Sequence, residues 1–288
     1  MPNQKDLSDI RNYLYDQAEV RWWYSLWLSL CAQVLALIAT VNNKLWLLAI
    51  AGFLALITPI AVAWLREWAN NLTQKADKCR RMILYADSLG EDIPSHQLAM
   101  VSAWTTGIKL QQAPFTSPYY SSSLSNSPQR LMDITTESAY FTEFLAAKAV
   151  NYLLVFLVIS ILILSGIIYF ADFATSTATI SQENQDMSGV KWAVKAALTA
   201  ISFILSGDIL LLWKKYSDLK LSAQSTFQKC ADLRYDKSLS ISKAMQVVED
   251  YHLALIQSPP IPLKLYLTYR DPLNQSYQDS HSISSNQP

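Results

Sequence analysis

Glycine is scarce in this chain, with six in 288 residues, and charged residues make up only 16% of it. A large soluble α/β enzyme normally carries more of both, so that class is disfavoured from the start. Net charge is also missing. Lys plus Arg and Asp plus Glu number 23 each, so no overall basic field recruits nucleic acid. The three cysteines, Cys31, Cys79 and Cys230, are too widely spaced for a disulfide framework or a zinc site. His96, His252 and His281 each stand without an acid or cysteine at metal-ligand spacing, and each reads as a surface residue. A GxSxG elbow, a phosphate-cradling glycine loop and an HExxH pair are all lacking. The expectation is therefore a protein with no catalytic residues, no metal and no cofactor, and not an enzyme. The first 21 residues are polar and mix acids with bases, and no small-residue cleavage site follows the first apolar run. That run is expected to stay as an anchor.

Hydrophobic residues fill the space left by charge, at 51% of the chain, and nine tryptophans accompany them. Four segments stand out. A helix rises about 1.5 Å per residue, so about 20 apolar residues cross a bilayer core. Residues 22–41 carry no charge, and Trp22, Trp23, Tyr24 and Trp27 cluster at their start, as amphipathic aromatics do at headgroup level. After the polar turn Asn42, Asn43 and Lys44, residues 45–65 are again free of charge, with Pro59 inside them. Ala32/Ala36 and Ala51/Ala55 place small residues four apart, a spacing that lets helices approach closely. The third segment is 149–170, rich in Leu, Ile, Val and Phe. The fourth is KWAVKAALTAISFILSGDILLLWKKY, in which Asp208 is the only ionisable residue between Ala196 and Trp213.

Positive charge orients these spans. Lys5, Arg11 and Arg21 precede the first, Arg66, Lys75, Lys78, Arg80 and Arg81 follow the second, Lys148 precedes the third, and Lys214, Lys215 and Lys220 follow the fourth. Only Lys44, Lys191 and Lys195 lie on the other side. The positive-inside rule places both termini and the central segment in the cytosol. The predicted fold class is an all-α integral membrane protein, with four transmembrane helices in two hairpins and long cytosolic helical extensions.

The divisions read from the chain are a cytosolic N-terminal helix at 1–21, hairpins at 22–65 and 149–213, and a helical segment at 66–148. A cytosolic helix and extended motif occupy 214–274, and a disordered tail 275–288. The lead-in helix is amphipathic, with Ile10, Tyr13, Leu14 and Val20 at helical spacing, and fits either a soluble helix or one lying on the membrane. Residues 66–89 continue the second span until Gly90 and Pro94. Residues 129–170 are unbroken, and the fourth span is expected to run on without interruption to Gln257. Pro114, Pro118 and Pro128 frame a serine-rich loop. In PPIPLKLYLTYRDPLN, Leu263, Leu265 and Leu267 alternate with Lys264, Tyr266 and Thr268, which is strand spacing.

Asp208 is the sharpest polar feature. Its helical neighbours Ile204, Leu205, Leu211 and Leu212 hold no cation, so a partner must come from another helix, another subunit or water. It reads either as lining a conduction path or oligomer contact, or as an acid one to two turns from the cytosolic face that stays hydrated. Ser206 and Gly207 beside it form a small-residue stripe with Ser202, Ala200 and Ala196 above, and Lys195 is the nearest basic residue on the outer side. For an anionic ligand the candidates are Arg80, Arg81, Arg130, Arg234 and Arg270, with Tyr119, Tyr120, Tyr266 and Tyr269 able to stack on bases. A solvated helix face accounts for the same arginines.

The order of parts carries a resemblance. Two spans, PYYSSS in the central segment, RLMDITTESAYF before span three, two more spans and PPIPLKLYLTYRDPLN near the end resemble the SMODS-associated four-transmembrane effectors, a bacterial family assigned a pore-forming role. The likeness covers about residues 8 to 275. LYDQAEVRWWYSLWLSL also looks like the related two-transmembrane SLATT effectors. The resemblance implies anti-phage defence in the bacterial inner membrane, beside a partner nucleotidyltransferase whose cyclic oligonucleotide triggers membrane damage and abortive infection. It brings no catalytic residues. Tyr119, Tyr120, Pro260, Pro262, Tyr266 and Arg270 match the family without an assigned role. The expected partners are thus a lipid bilayer, further copies of the chain and a cyclic oligonucleotide, with no nucleic acid. A constitutive channel or transporter using Asp208 and Lys195, and a membrane adaptor with an interaction stalk, are the alternatives.

Overall fold

The computed structural model of the chain describes residues 4–42, 44–104, 122–178 and 208–285. Seven helices occupy them: α1 Gln4–Asn42, α2 Leu45–Leu89, α3 Ser95–Trp104, α4 Pro128–Ala178, α5 Asp208–Leu233, α6 Ile241–Gln257 and α7 Leu263–Ser285. No strand occurs among the described residues. The helices group into two compact units. Unit 1 comprises Met1–Val20, Trp68–Lys148 and Lys215–Pro288, and unit 2 comprises Arg21–Glu67 and Ala149–Lys214.

Unit 1 has an ordinary apolar core. Leu7, Ile10 and Leu14 recur at three- and four-residue spacing on α1, and pack with Ala76, Cys79, Met82 and Ile83 of α2 and Val101 of α3. The start of α1 is therefore built into this core, which decides between its two sequence readings. A second cluster joins Leu84 of α2, Leu131, Met132 and Ile134 of α4, Cys230 of α5, Leu239, and Ala244 and Val248 of α6. Between α2 and α4 the chain turns at Gly90, whose φ of 72° is left-handed. Gly90 N donates to Ala86 O, and Ser127 N donates to Ser88 O at 2.9 Å, closing the end of α2. A Cβ at Gly90 collides with the Asn126 side-chain amide. Gly90→Ala is expected to cost about 1–2 kcal/mol, combining left-handed strain with the clash. Gly52→Ala, inside α2 and with nothing within 4 Å of the new methyl, is the control without strain or clash, expected to be neutral to stabilising by up to about 1 kcal/mol in the same thermal melts.

Three expectations need correction. The helix beyond 208 does not run to Gln257. It stops at Leu233, and α6 restarts at Ile241 behind the N-cap Ser240. Asp236 Oδ1 accepts from Ser238 N at 2.8 Å and from Ser238 Oγ at 2.6 Å, a local turn that competes with the helix without any glycine or proline. The extended motif is instead a helix, α7. Leu265 N and Tyr266 N donate to Pro262 O, and Glu19 Oε2 accepts from Leu263 N, so three of the first four N–H groups have acceptors. Leucines at i and i+4 fit a strand face and a helix face equally, which is how the alternation misleads. The tail is helical as far as Ser285. Leu273 and Tyr277, again four apart, are its buried pair, and the Tyr277 ring lies 5.5 Å from that of Tyr140 on α4.

Unit 2 is different in kind. Of the four expected spans, two are found among the described residues: α2 and the 128–159 part of α4 are long and apolar enough to cross a membrane, and only 11% and 22% of their apolar windows are buried. The core helix of a soluble protein is mostly buried, so these two do not fit that role. On α2 the inward positions are Thr58 and Val62, and their spacing continues as Ala69, Thr73 and Ala76 in unit 1. Ala55 of the small-residue pair is exposed.

Candidate functional site

One face of α2 in unit 1 carries Asp77, Arg80, Arg81 and Tyr85, at spacings of three, four and eight residues. Opposite them α6 presents Glu249, Tyr251 and His252, and α4 presents Ser138 and Thr142. Asp77 and His252 are both buried, with side chains 1% and 2% exposed, and Asp77 Oδ1 lies 2.9 Å from His252 Nδ1. A carboxylate only accepts, so Nδ1 carries the proton and Nε2 is the bare nitrogen of a neutral ring. That Nε2 is buried without a hydrogen-bond partner. Arg81 spans the pair's edge, with Nε 3.5 Å from Asp77 Oδ2 and Nη1 2.7 Å from Glu249 Oε2. The Tyr85 hydroxyl donates to Glu249 Oε1 at 2.9 Å. Arg80 bonds the Ser138 hydroxyl and stands 5.8 Å from the centre of the Tyr251 ring, whose own hydroxyl lies 2.7 Å from Thr142 Oγ1.

Burial pushes the His252 pKa below its usual value. The Asp77 hydrogen bond opposes that shift, and Arg80 and Arg81 reinforce it. The unfolded chain takes up this proton near pH 6.5 and the folded chain only below that, so the stability contributed is complete above 6.5 and is lost as pH falls. The unfolding midpoint is accordingly expected to drop between pH 7.5 and 5.5, and His252→Gln to flatten that dependence in thermal melts.

This junction ties α2, α4 and α6 together, and its Ser138 and Thr142 hydroxyls are engaged by Arg80 and Tyr251. Cys79 and Cys230 lie in the two apolar clusters, where burial raises their thiols to about 11 and about 12, so both are neutral near pH 7. No group of three metal-ligating side chains is placed to hold an ion among the described residues. The network is suited to fixing helix positions through charge and hydrogen bonding.

The sequence-selected residues are dispersed. Arg80 and Arg81 enter the junction. Arg130 reaches Asp87 at 3.2 Å and the Leu124 carbonyl, pinning the turn before α4. Arg234 pairs with Asp133 at 3.2 Å, and Arg270 with the adjacent Asp271 at 2.8 Å. Tyr266 is half-buried on α7. Tyr269 shares Lys148 with Phe144, the ammonium lying 5.3 and 5.1 Å from the two ring centres. Asp208 is the first residue of α5. Tyr119, Tyr120, Lys195, Ser206 and Gly207 lie outside the described residues. Sequence reasoning missed His252, which it placed on the surface. The available signal was its position beside Val248, Tyr251 and Leu255, on the apolar face of α6.

The second candidate surface is the apolar exterior of unit 2. Phe53, Leu56 and Ile60 of α2 are exposed, as are Val155, Phe156 and Leu162 of α4. Aromatics gather where each helix meets the edge of this unit: Trp23, Tyr24 and Trp27 on α1, Trp64 on α2, Tyr152 on α4 and Trp213 on α5, all exposed. Arg66 Nε lies 3.4 Å from Ser25 Oγ, so the α1 and α2 aromatics share one level.

No protein-family model, curated protein or solved structure matches the chain.

Proposed function

We propose that unit 2 is the membrane-embedded part of a pore-forming effector and unit 1 its regulatory part. The observation that carries this reading is the exposure of the two long apolar windows. Leaving one large aliphatic side chain in water forgoes about 1.5–3 kcal/mol of burial, so a surface of this extent calls for lipid or another chain as cover. With the apolar runs at 22–41 and 191–213, the windows complete two hairpins in a bacterial inner membrane, both termini cytosolic. Four apolar helices enclose no aqueous lumen, so permeabilisation takes several copies. α2 and α4 carry the windows and also the Asp77, Arg81, Ser138 and Thr142 side of the polar junction. An event that rearranges the junction therefore acts on those same helices. The defence role and the cyclic-oligonucleotide trigger rest on the family resemblance.

The test is dye release from liposomes holding the purified, inserted full chain. Release that rises on adding a cyclic di- or trinucleotide is expected. No release with any of them, from protein shown to be inserted, overturns the effector reading.

A further inference from the structure

We infer that the edge of unit 2 is a docking surface for anionic phospholipid headgroups, an assignment that rests on the membrane reading above. Each of the four described helices of this unit reaches the edge with an exposed aromatic, and three add a cation there: Arg21 on α1, Arg66 on α2 and Lys214 on α5. Among the described residues, Glu67 and, two residues before Arg21, Glu19 are the acids at that level, so three cations face two acids and the local balance stays positive in a chain whose total is zero. Aromatics and cations stand close in height. Trp23 follows Arg21 by two residues, Trp64 precedes Arg66 by two, and Trp213 adjoins Lys214, separations of about 1.5–3 Å along a helix axis. Tyrosine and tryptophan settle at the headgroup boundary because one end is apolar and the other polar. Basic side chains at that depth extend toward phosphate.

A surface of this composition fits a leaflet rich in phosphatidylglycerol better than a zwitterionic one. The aromatics alone distinguish neither lipid, so the cations set the preference. Near an anionic surface each basic residue contributes about a fivefold factor in affinity, and salt screens it.

The aromatics report their own surroundings. The full chain is reconstituted in phosphatidylcholine vesicles containing brominated phosphatidylglycerol or brominated phosphatidylcholine, and quenching of tryptophan fluorescence is compared. Brominated phosphatidylglycerol is expected to quench with a relative affinity higher by at least the about fivefold that one such residue contributes, a ratio that falls in high salt. The variant R21Q/R66Q/K214Q is expected to bring the ratio near one. Should that variant not fold, Lys214→Gln alone, at an exposed position, lowers it. Equal quenching by the two lipids in the unaltered chain, or a ratio unmoved by Lys214→Gln, overturns the inference and leaves the membrane reading standing. Absence of quenching by both overturns the two together.

Discussion

Leu56→Lys is expected to abolish stable membrane integration while leaving unit 1 folded. Leu56 lies midway along the 45–65 run and is 74% exposed within the chain. In a water-soluble protein such a change is close to neutral, within about 0.5 kcal/mol, and improves solubility. At the centre of a membrane helix a lysine costs about 2.5–3.5 kcal/mol on insertion scales, on top of the lost leucine contribution. The two environments thus predict opposite outcomes for one substitution. Membrane fractionation with carbonate extraction separates them. Loss of the variant from the extracted pellet supports a lipid-facing Leu56, and an unchanged distribution counts against it. Leu221→Lys, at an exposed position of α5 in unit 1, is the control and should remain in the pellet.

Asp77→Ala is expected to be the most damaging single change in unit 1, at about 3 kcal/mol. The carboxylate is buried, accepts the His252 proton and balances Arg81. Removing it leaves a buried ring nitrogen without an acceptor and a guanidinium without one of its counter-charges, and breaking such pairs costs about 3–5 kcal/mol when both members are fully buried. Arg81 is 29% exposed, which puts the expected value at the lower end. Glu249→Gln, at a carboxylate 42% exposed, should cost about 1 kcal/mol or less. A double-mutant cycle between Asp77→Asn and His252→Gln should return a clear coupling energy, because the two side chains share one hydrogen bond. Equal costs for Asp77→Ala and Glu249→Gln in thermal melts would show that the pair at the centre does not hold the junction.

Helices were legible wherever apolar spacing and breakers agreed. Gly90 ends the run through 45–89 and Pro128 opens the helix expected over 129–170, which continues to Ala178. Pro59 is tolerated inside α2. The break between α5 and α6 was hidden because it depends on a side chain: Asp236 folds back on Ser238, and nothing in the backbone composition enforces it. α7 was misread because a short run of leucines at two-residue spacing carries no information on period, and only Leu273 and Tyr277 further on reveal the buried face. The junction was invisible for another reason. Asp77 and His252 are 175 residues apart, and each looks ordinary alone. Only the packing of α2 against α6 turns a solitary histidine into a buried, neutral one. The same holds for Arg130 and Arg234. Sequence marked them as possible anion contacts, and the fold supplies Asp87 and Asp133 as local partners.

Cysteine accessibility in intact spheroplasts tests the central claim, that unit 2 crosses a bilayer with unit 1 on the cytosolic side. In a Cys31→Ser background, the buried Cys79 and Cys230 stay silent, and single cysteines are introduced at the exposed Lys44 and Lys237. A membrane-impermeant maleimide is expected to label Lys44→Cys from outside, and Lys237→Cys only after lysis. Labelling of both positions before lysis, or of neither, contradicts that account.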